Sequence, residues 1–256
     1  CCLLALGIFL TYRLLDFADL TAEGSFLLGA AVSGVMIYNG INPWLATLCS
    51  ILVGALTGVV TGVLNRYLKV PKLLSGIITL TASASIAMLI MGMKSGNINP
   101  FAAEVSFTNI TYQGDRQTIY SLLYPWTYSD VAEAYIVVRP WGDVIKVVVM
   151  AVVVAAAMTA TYFFFGTEYG MAIRGTGMNE KMAKAQGINA NVSTIVCIAI
   201  ANALIGLAGS LYVQDTKTVS TISASGYLVV GLASILIGEG IFGKRSFKSW
   251  LISVSL

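Results

Sequence analysis

Long apolar blocks alternate with short polar stretches along the chain, and the block length sets the first expectation. Cys1–Leu15 is apolar apart from Tyr12 and Arg13. Trp44–Leu64, Leu73–Met93, Val144–Phe165 and Val192–Val213 are each close to the ~20 residues a helix needs to cross a bilayer. Ser25–Tyr38 is apolar but short, and Gly226–Phe242 is interrupted by Gly231, Gly238, Glu239 and Gly240. These two read as short or broken helices. Another apolar run begins at Trp250. The pattern predicts an all-α integral membrane protein, a polytopic helical bundle forming one transmembrane domain over 1–256. With an apolar run at each end and no initiator Met, the chain reads as a fragment whose first and last spans are incomplete.

Between the blocks lie the connectors. Asn39–Pro43 is a turn, with Trp44 placed as an interface anchor. Asn65–Lys72 is compact and basic, carrying Arg66, Lys69 and Lys72, and Gly243–Lys248 carries Lys244, Arg245 and Lys248. Thr167–Asn189 is amphipathic, with Arg174, Lys181 and Lys184. Two spans separate the first basic connector from 167–189, so both fall on one side, which the basic bias makes cytoplasmic. Arg13 then marks the cytoplasmic end of the first block. The long segment 94–143 falls outside, as a lid or arm rich in aromatics: Phe101, Phe107, Tyr112, Tyr120, Tyr124, Trp126, Tyr128, Tyr135 and Trp141. An interfacial aromatic belt and a partner-binding surface account for it equally well.

Composition agrees with a lipid solvent. The chain of 256 residues is 57% hydrophobic and 11% charged, with mean hydropathy +0.82, against roughly 25% charge in a soluble domain. A net charge of +3 is too small to imply a nucleic-acid partner. The chain has no histidine, and Cys1, Cys2, Cys49 and Cys197 make no paired motif, so no metal site is expected. No nucleophile–base pair and no phosphate-binding Gly-x-x-x-x-Gly-Lys-Ser/Thr loop occurs, so no catalytic residue is assigned.

The connector 167–189 has its own local logic. Thr167 can cap one short helix and Asn179 a second, with Glu168 and Glu180 following each cap at the positive helix start. Gly175 and Gly177 are expected to break the first helix. Met182, Ala183 and Gln186 should share one face of the second, and Gly187 takes the left-handed position after it, with Ile188 as the apolar contact. The result is a stiff, mildly basic knob at the membrane surface. It reads as a solvated loop or as a short helix that docks in a groove of a soluble partner.

This connector resembles the coupling loop of ABC-transporter permeases of the branched-chain amino acid and ribose importer type. The residues that carry the likeness are Gly170-x-Ala172-x-Arg174, then Gly177, Asn179, Met182-Ala183 and Gly187-Ile188-Asn189. Leu15-Asp16-Phe17-Ala18-Asp19-Leu20-Thr21-x-Glu23-Gly24-Ser25-Phe26 and Gly231-Leu232-Ala233-Ser234-x-x-Ile237-Gly238-Glu239 are similar to a branch associated with tryptophan or tyrosine uptake. The resemblance implies that 166–190 is a cytoplasmic coupling loop seated on a separate ATPase subunit. ATP and Mg would then bind that subunit, and this chain would bind no cofactor. It also implies an extracytoplasmic solute-binding protein, a homodimer or a pair with a related permease, and a bacterial cytoplasmic membrane.

Polar groups inside or beside apolar blocks are the candidates for a translocation pathway. Asp16, Asp19 and Glu23 precede the short block, where ionisable groups are costly. They line a gate or form an interfacial turn that caps a helix at Ser25. Asn202 and Gln214 face the pathway, with bonding between helices an equal account of Asn202, and Ser83, in the run Ser75, Thr79, Thr81, Ser83 and Ser85, wets a conduit or bonds to its own backbone. Aligning Gly24-x4-Gly29-x-Ala31 with Gly226-x4-Gly231-x-Ala233 superposes two short, broken apolar segments, the pattern that marks a transporter's central site. An ion-coupled secondary transporter or channel using Asp16, Asp19 and Glu23 as cation ligands is the alternative function. Glu239 is expected to pair with Lys244 or Arg245.

Overall fold

The computed structural model describes residues 2–15, 19–91, 97–98, 142–216, 219–220 and 226–242, the side chains of 97–98, 142–146, 220 and 238–242 excepted. The chain is nearly all helical. It opens with α1 (Cys2–Phe9), which continues into a π-helical turn at Leu10–Leu14. There follow α2 (Thr21–Tyr38), α3 (Pro43–Arg66) and α4 (Lys72–Ile90). Next come α5 (Gly142–Gly166), α6 (Glu168–Met178), α7 (Glu180–Ala185), α8 (Ala190–Thr216) and α9 (Tyr227–Phe242). Two-residue strands β1 (Asn97–Ile98) and β2 (Val219–Ser220) pair antiparallel. Among the described residues, α2, α3, α4, Val147–Gly166 of α5 and α8 are long and apolar enough to cross a bilayer. This is the polytopic helical membrane bundle that block lengths predict.

Helix α2 is longer than the apolar run Ser25–Tyr38 implies. It starts at Thr21 because the Asp19 carboxylate takes up the Thr21 backbone N–H at 2.9 Å, which brings Thr21–Gly24 into the first turn. At the far end Asn42 caps α3 through the Trp44 N–H, with Pro43 at the first helical position.

Helices α2, α3 and α8 form the centre of the bundle, and small residues let them approach. A side chain at Gly54 would collide with the Asn202 carbonyl, and one at Gly58 would meet the Ile198 carbonyl at 2.6 Å. Gly206 sits as tightly against the Ser50 carbonyl, and Gly209 against that of Phe26. Lipid offers no hydrophobic drive for helices to associate, so contact of this closeness supplies the attraction. Around this centre α1 is buried on all sides, whereas α5 shows most of its surface outward.

Pairings along the helices fix their direction. Thr21 meets Thr61 and Ser25 meets Thr57, so α2 and α3 are antiparallel. Ser25 meets Asn202 and Ser33 meets Ser210, so α2 and α8 are parallel. The end of the bundle that holds Arg66 therefore also holds the start of α8 and, through Lys72 donating to the Leu15 carbonyl at 3.5 Å, the end of the π-turn and the start of α4.

Replacing Gly54 or Gly58 with Val should lower the thermal midpoint of the detergent-solubilised protein, because each forces backbone apart at a cost of about 1–3 kcal/mol. Gly175→Ala, in open helical space, should leave it unchanged or raise it. Thermal scans read by size-exclusion fluorescence check both.

Candidate functional site: a membrane-end knob and a buried polar ladder

The knob consists of α6 and α7. Thr167 accepts from the Gly170 N–H at 3.4 Å, and Asn179 accepts from the N–H groups of Lys181 and Met182 at 3.1 and 3.2 Å. Both expected caps are present. The closing turn is a complete Schellman motif: Gly187 has φ +81°, its N–H reaches the Lys184 carbonyl, and the Ile188 N–H reaches that of Ala183. Asn189 then caps the start of α8.

One local expectation is corrected. The first knob helix is not broken at Gly175 and Gly177; it runs through both and stops where Asn179 turns extended. Gly175 lies in open space, so its cost is only the modest one of helical glycine, and Gly177 lets α6 pass against the Leu14 carbonyl of the π-turn. On the side of α7 that carries Met182, Ala183 and Gln186, Ala183 packs inward, and Met182 and Gln186 are exposed.

The inner face of α6 is Gly170, Ile173 and Thr176. Gly170 sits directly on Phe165 and Phe164, at the sharp turn out of α5. Ala172 and Arg174 are half-buried, and the Arg174 guanidinium lies 5.6 Å from the centre of the Phe165 ring, in cation–π range. Burial draws the Arg174 pKa below the usual guanidinium value. The outer surface shows large apolar groups: Met178 is 89% exposed, Tyr169 79%, Met182 60% and Met171 58%. Residue types alone do not single out Tyr169, Met171 or Met178; their exposure beyond the ends of the spans does.

The knob lies at the Arg66 end, the side that counting spans assigns it. Arg66 Nη1 contacts Glu180 Oε1 at 3.0 Å, and its Nη2 donates to Thr194 Oγ1 at 2.7 Å. Lys184 also pairs with Glu180, at 2.8 Å. Hydrogen bonds from Lys184 and then Arg66 hold the Glu180 carboxyl below its ordinary pKa.

The second constellation is a ladder of polar contacts inside the α2–α3–α8 unit. Asn202 Nδ2 donates to Asp19 Oδ2 at 2.8 Å, and Asn202 Oδ1 accepts from Ser25 Oγ at 2.7 Å. Ser25 also meets Thr57, and Thr21 meets Thr61. One level further, Ser50 Oγ lies 2.8 Å from the carbonyls of Gly29 and Gly206. At the far level Gln214 Nε2 donates to Ser210, which meets Ser33. Asp19, Ser25, Asn202 and Gln214 are all buried. Asp19 is buried and hydrogen-bonded to Asn202, which also bonds Ser25 and so links α8 to α2 and to the segment just before it.

Glu23 is half-buried and accepts from the Gly226 N–H at 3.0 Å, just before α9, where Gly226 has φ +94°. Nearby, Phe26, Tyr212 and Tyr227 cluster with ring centres 5.0–5.8 Å apart. Glu23, in the first turn of α2, thus brings the starts of α2 and α9 close together. The glycine alignment reaches this region from both sides, although Gly24 is helical and Gly226 is a turn residue.

Ser83 stands apart from the ladder. It packs on Gly24 and donates to its own helix at Leu80. Thr79, Thr81 and Ser85 bond back in the same way. Asp16, most of 94–143, Lys244 and Arg245 lie outside the described residues, as does the Glu239 side chain. Sequence reading overlooked Thr21, Thr57, Thr61 and Ser50; the spacing Gly54-x3-Gly58-x3-Gly62 was the available signal for the helix face that carries them.

Comparison with known proteins gives these features a class. The profile of the branched-chain amino acid transport system permease component matches residues 1–247, and the chain belongs to that family of membrane permeases. Within it, the chain is 33% identical over 245 residues to a tyrosine transport system permease protein of Clostridioides difficile, covering 96% of this chain and 71% of that protein. It is 25% identical to a nucleoside ABC transporter permease of Lactococcus lactis (85% of this chain, 65% of that one). Against the ribose import permease of Escherichia coli K12 the identity is 23% (86% and 60%). No solved structure gives a significant match.

Asn202→Leu should destabilise the protein by about 1–3 kcal/mol, because it removes a hydrogen-bond donor from buried Asp19 and leaves Ser25 without one partner. The double variant Asp19→Leu/Asn202→Leu should recover part of that loss. A double-mutant cycle on the detergent denaturation midpoint measures both.

Proposed function

We propose that this chain is the membrane-spanning subunit of an ABC importer, and that α6–α7 is the surface on which a separate ATPase subunit docks. The observation that carries the reading is the knob itself. Two capped helices at the Arg66 end present Tyr169, Met171, Met178 and Met182 beyond the spans. Exposed aromatic and Met side chains on a short rigid helix suit a groove on a soluble partner. The Arg66 end is then cytoplasmic, in a bacterial plasma membrane, and ATP with Mg binds the partner rather than this chain.

Within this loop Gly170, Ala172, Arg174 and Gly177 shape and anchor the knob. Asn179, Met182, Ala183, Gly187 and Asn189 hold α7 and its exit turn in register. The solute route passes the break between α2 and α9, with Glu23 beside it and Asp19, Ser25 and Asn202 behind; Asp16, Ser83 and Gln214 extend it. An amino acid or related small solute is the proposed cargo, on the strength of the tyrosine permease relative. A second copy or a related permease completes the pore, and an extracytoplasmic binding protein delivers the solute on the 94–143 side.

Met178→Asp combined with Tyr169→Ala should reduce co-purification of the ATPase subunit at least about tenfold, as expected of central interface residues, with membrane insertion unchanged. Equal recovery from wild-type and variant would remove the docking role. Solute uptake in vesicles on an ion gradient without ATP would favour a stand-alone carrier.

A further inference from the structure

One cluster at the knob is not explained by docking. Arg66 is the last residue of α3, Glu180 the first of α7, and Thr194 lies near the start of α8. A single guanidinium joins all three, through Nη1 to Glu180 at 3.0 Å and Nη2 to Thr194 at 2.7 Å. The Thr194 hydroxyl in turn donates to the Ala190 carbonyl at 2.8 Å, within its own helix. Arginine suits this place because its planar fork offers donors to two acceptors on different elements, which an ammonium group does with less directional control.

The surroundings separate this pair from an ordinary surface ion pair. The Arg66 side chain is 16% exposed and that of Glu180 40%, so the contact is partly withdrawn from water. Lys184, on the same helix as Glu180, is 57% exposed; it orients the carboxylate but reaches no span. Helix α7 lies against α6 and α8, and its connection to α3 is made by side-chain reach. Helix α3 is in turn locked to α8 through Gly54, Gly58 and Gly206, and to α2 through Thr57 and Thr61.

We propose that the Arg66–Glu180 pair, extended to Thr194, is the link by which displacement of the knob is imposed on the α2–α3–α8 unit. This rests on the reading of α6–α7 as the ATPase dock. Arg66 is then a positioning residue: it touches neither solute nor nucleotide, and moves the helices that surround the solute.

The test uses the permease reconstituted with an ATPase subunit that co-purifies with it. The native cysteines are replaced by alanine, and Asn39→Cys is introduced in the exposed turn between α2 and α3 at the opposite end. A membrane-impermeant maleimide reports on that turn with and without ATP and vanadate. In the otherwise unaltered protein, nucleotide should change the labelling rate at least about threefold, the scale of a partly buried pair. Arg66→Glu and Glu180→Arg should each abolish the change while the ATPase subunit still co-purifies, and the exchange of both should restore it. Arg66→Lys and Glu180→Gln give the same comparison in graded form if a reversal fails to insert. Single variants that keep the response, or an exchange that does not restore it, overturn the link. So does loss of ATPase binding in the single variants, which would make the pair part of the docking surface. Failure of the unaltered permease to bind the ATPase overturns the link and the importer reading together.

Discussion

The contact between α3 and α8 is the constraint on which the rest of the bundle depends. In water, burial of apolar surface would bring these helices together; in lipid it cannot, because the acyl chains are as apolar as Leu or Ile. What remains is closeness. Gly54, Gly58 and Gly206 remove the side chains that would hold the backbones apart. Only then do Ser50 and Asn202 come within reach of neighbouring helices, so the hydrogen bonds follow from the packing. Such bonds average about 0.6 kcal/mol each in membrane proteins, too little to draw helices together but enough to fix their register.

Register has a functional reading. Every fourth residue of α2, from Thr21 through Ser25 and Gly29 to Ser33, meets a polar or small partner on α3 or α8. A slip of one residue would strand a hydroxyl or a carboxylate in a medium without water. The three helices are therefore held in one register, and α6 and α7 are attached to the bundle at a few identifiable points: Gly177 on the π-turn, Arg66 on Glu180, and the Gly187 turn into α8.

Much of this was readable from the sequence, for physical reasons that differ by element. Blocks of about 20 apolar residues have one stable form in a bilayer, so α3, α4, α5 and α8 followed from length alone. The knob followed from its caps, since Thr167, Asn179 and Gly187 act on backbone groups close to them in sequence. The start of α2 did not. It depends on the Asp19 carboxylate, which is held by Asn202 far along the chain. The fate of Gly177 was equally hidden, because a glycine that breaks a helix and one that admits a neighbour look alike until Leu14 is placed beside it. Membership of the permease family was legible where motifs cluster; cargo was not, since relatives named for tyrosine, nucleosides and ribose share the same scaffold.

The two carboxylates at the starts of α2 and α9 have a wider consequence. Asp19 sits on the first N–H of α2, and Glu23 takes the backbone N–H that opens into α9. Each helix begins with a partial positive charge and backbone N–H groups that have no partner within the helix. Acidic side chains at those places accept a backbone N–H at each start, so neither donor is left unsatisfied where the chain enters a helix. Both starts are therefore already occupied by acceptors from this chain, and any further hydrogen-bond acceptor arriving there would have to displace one of them.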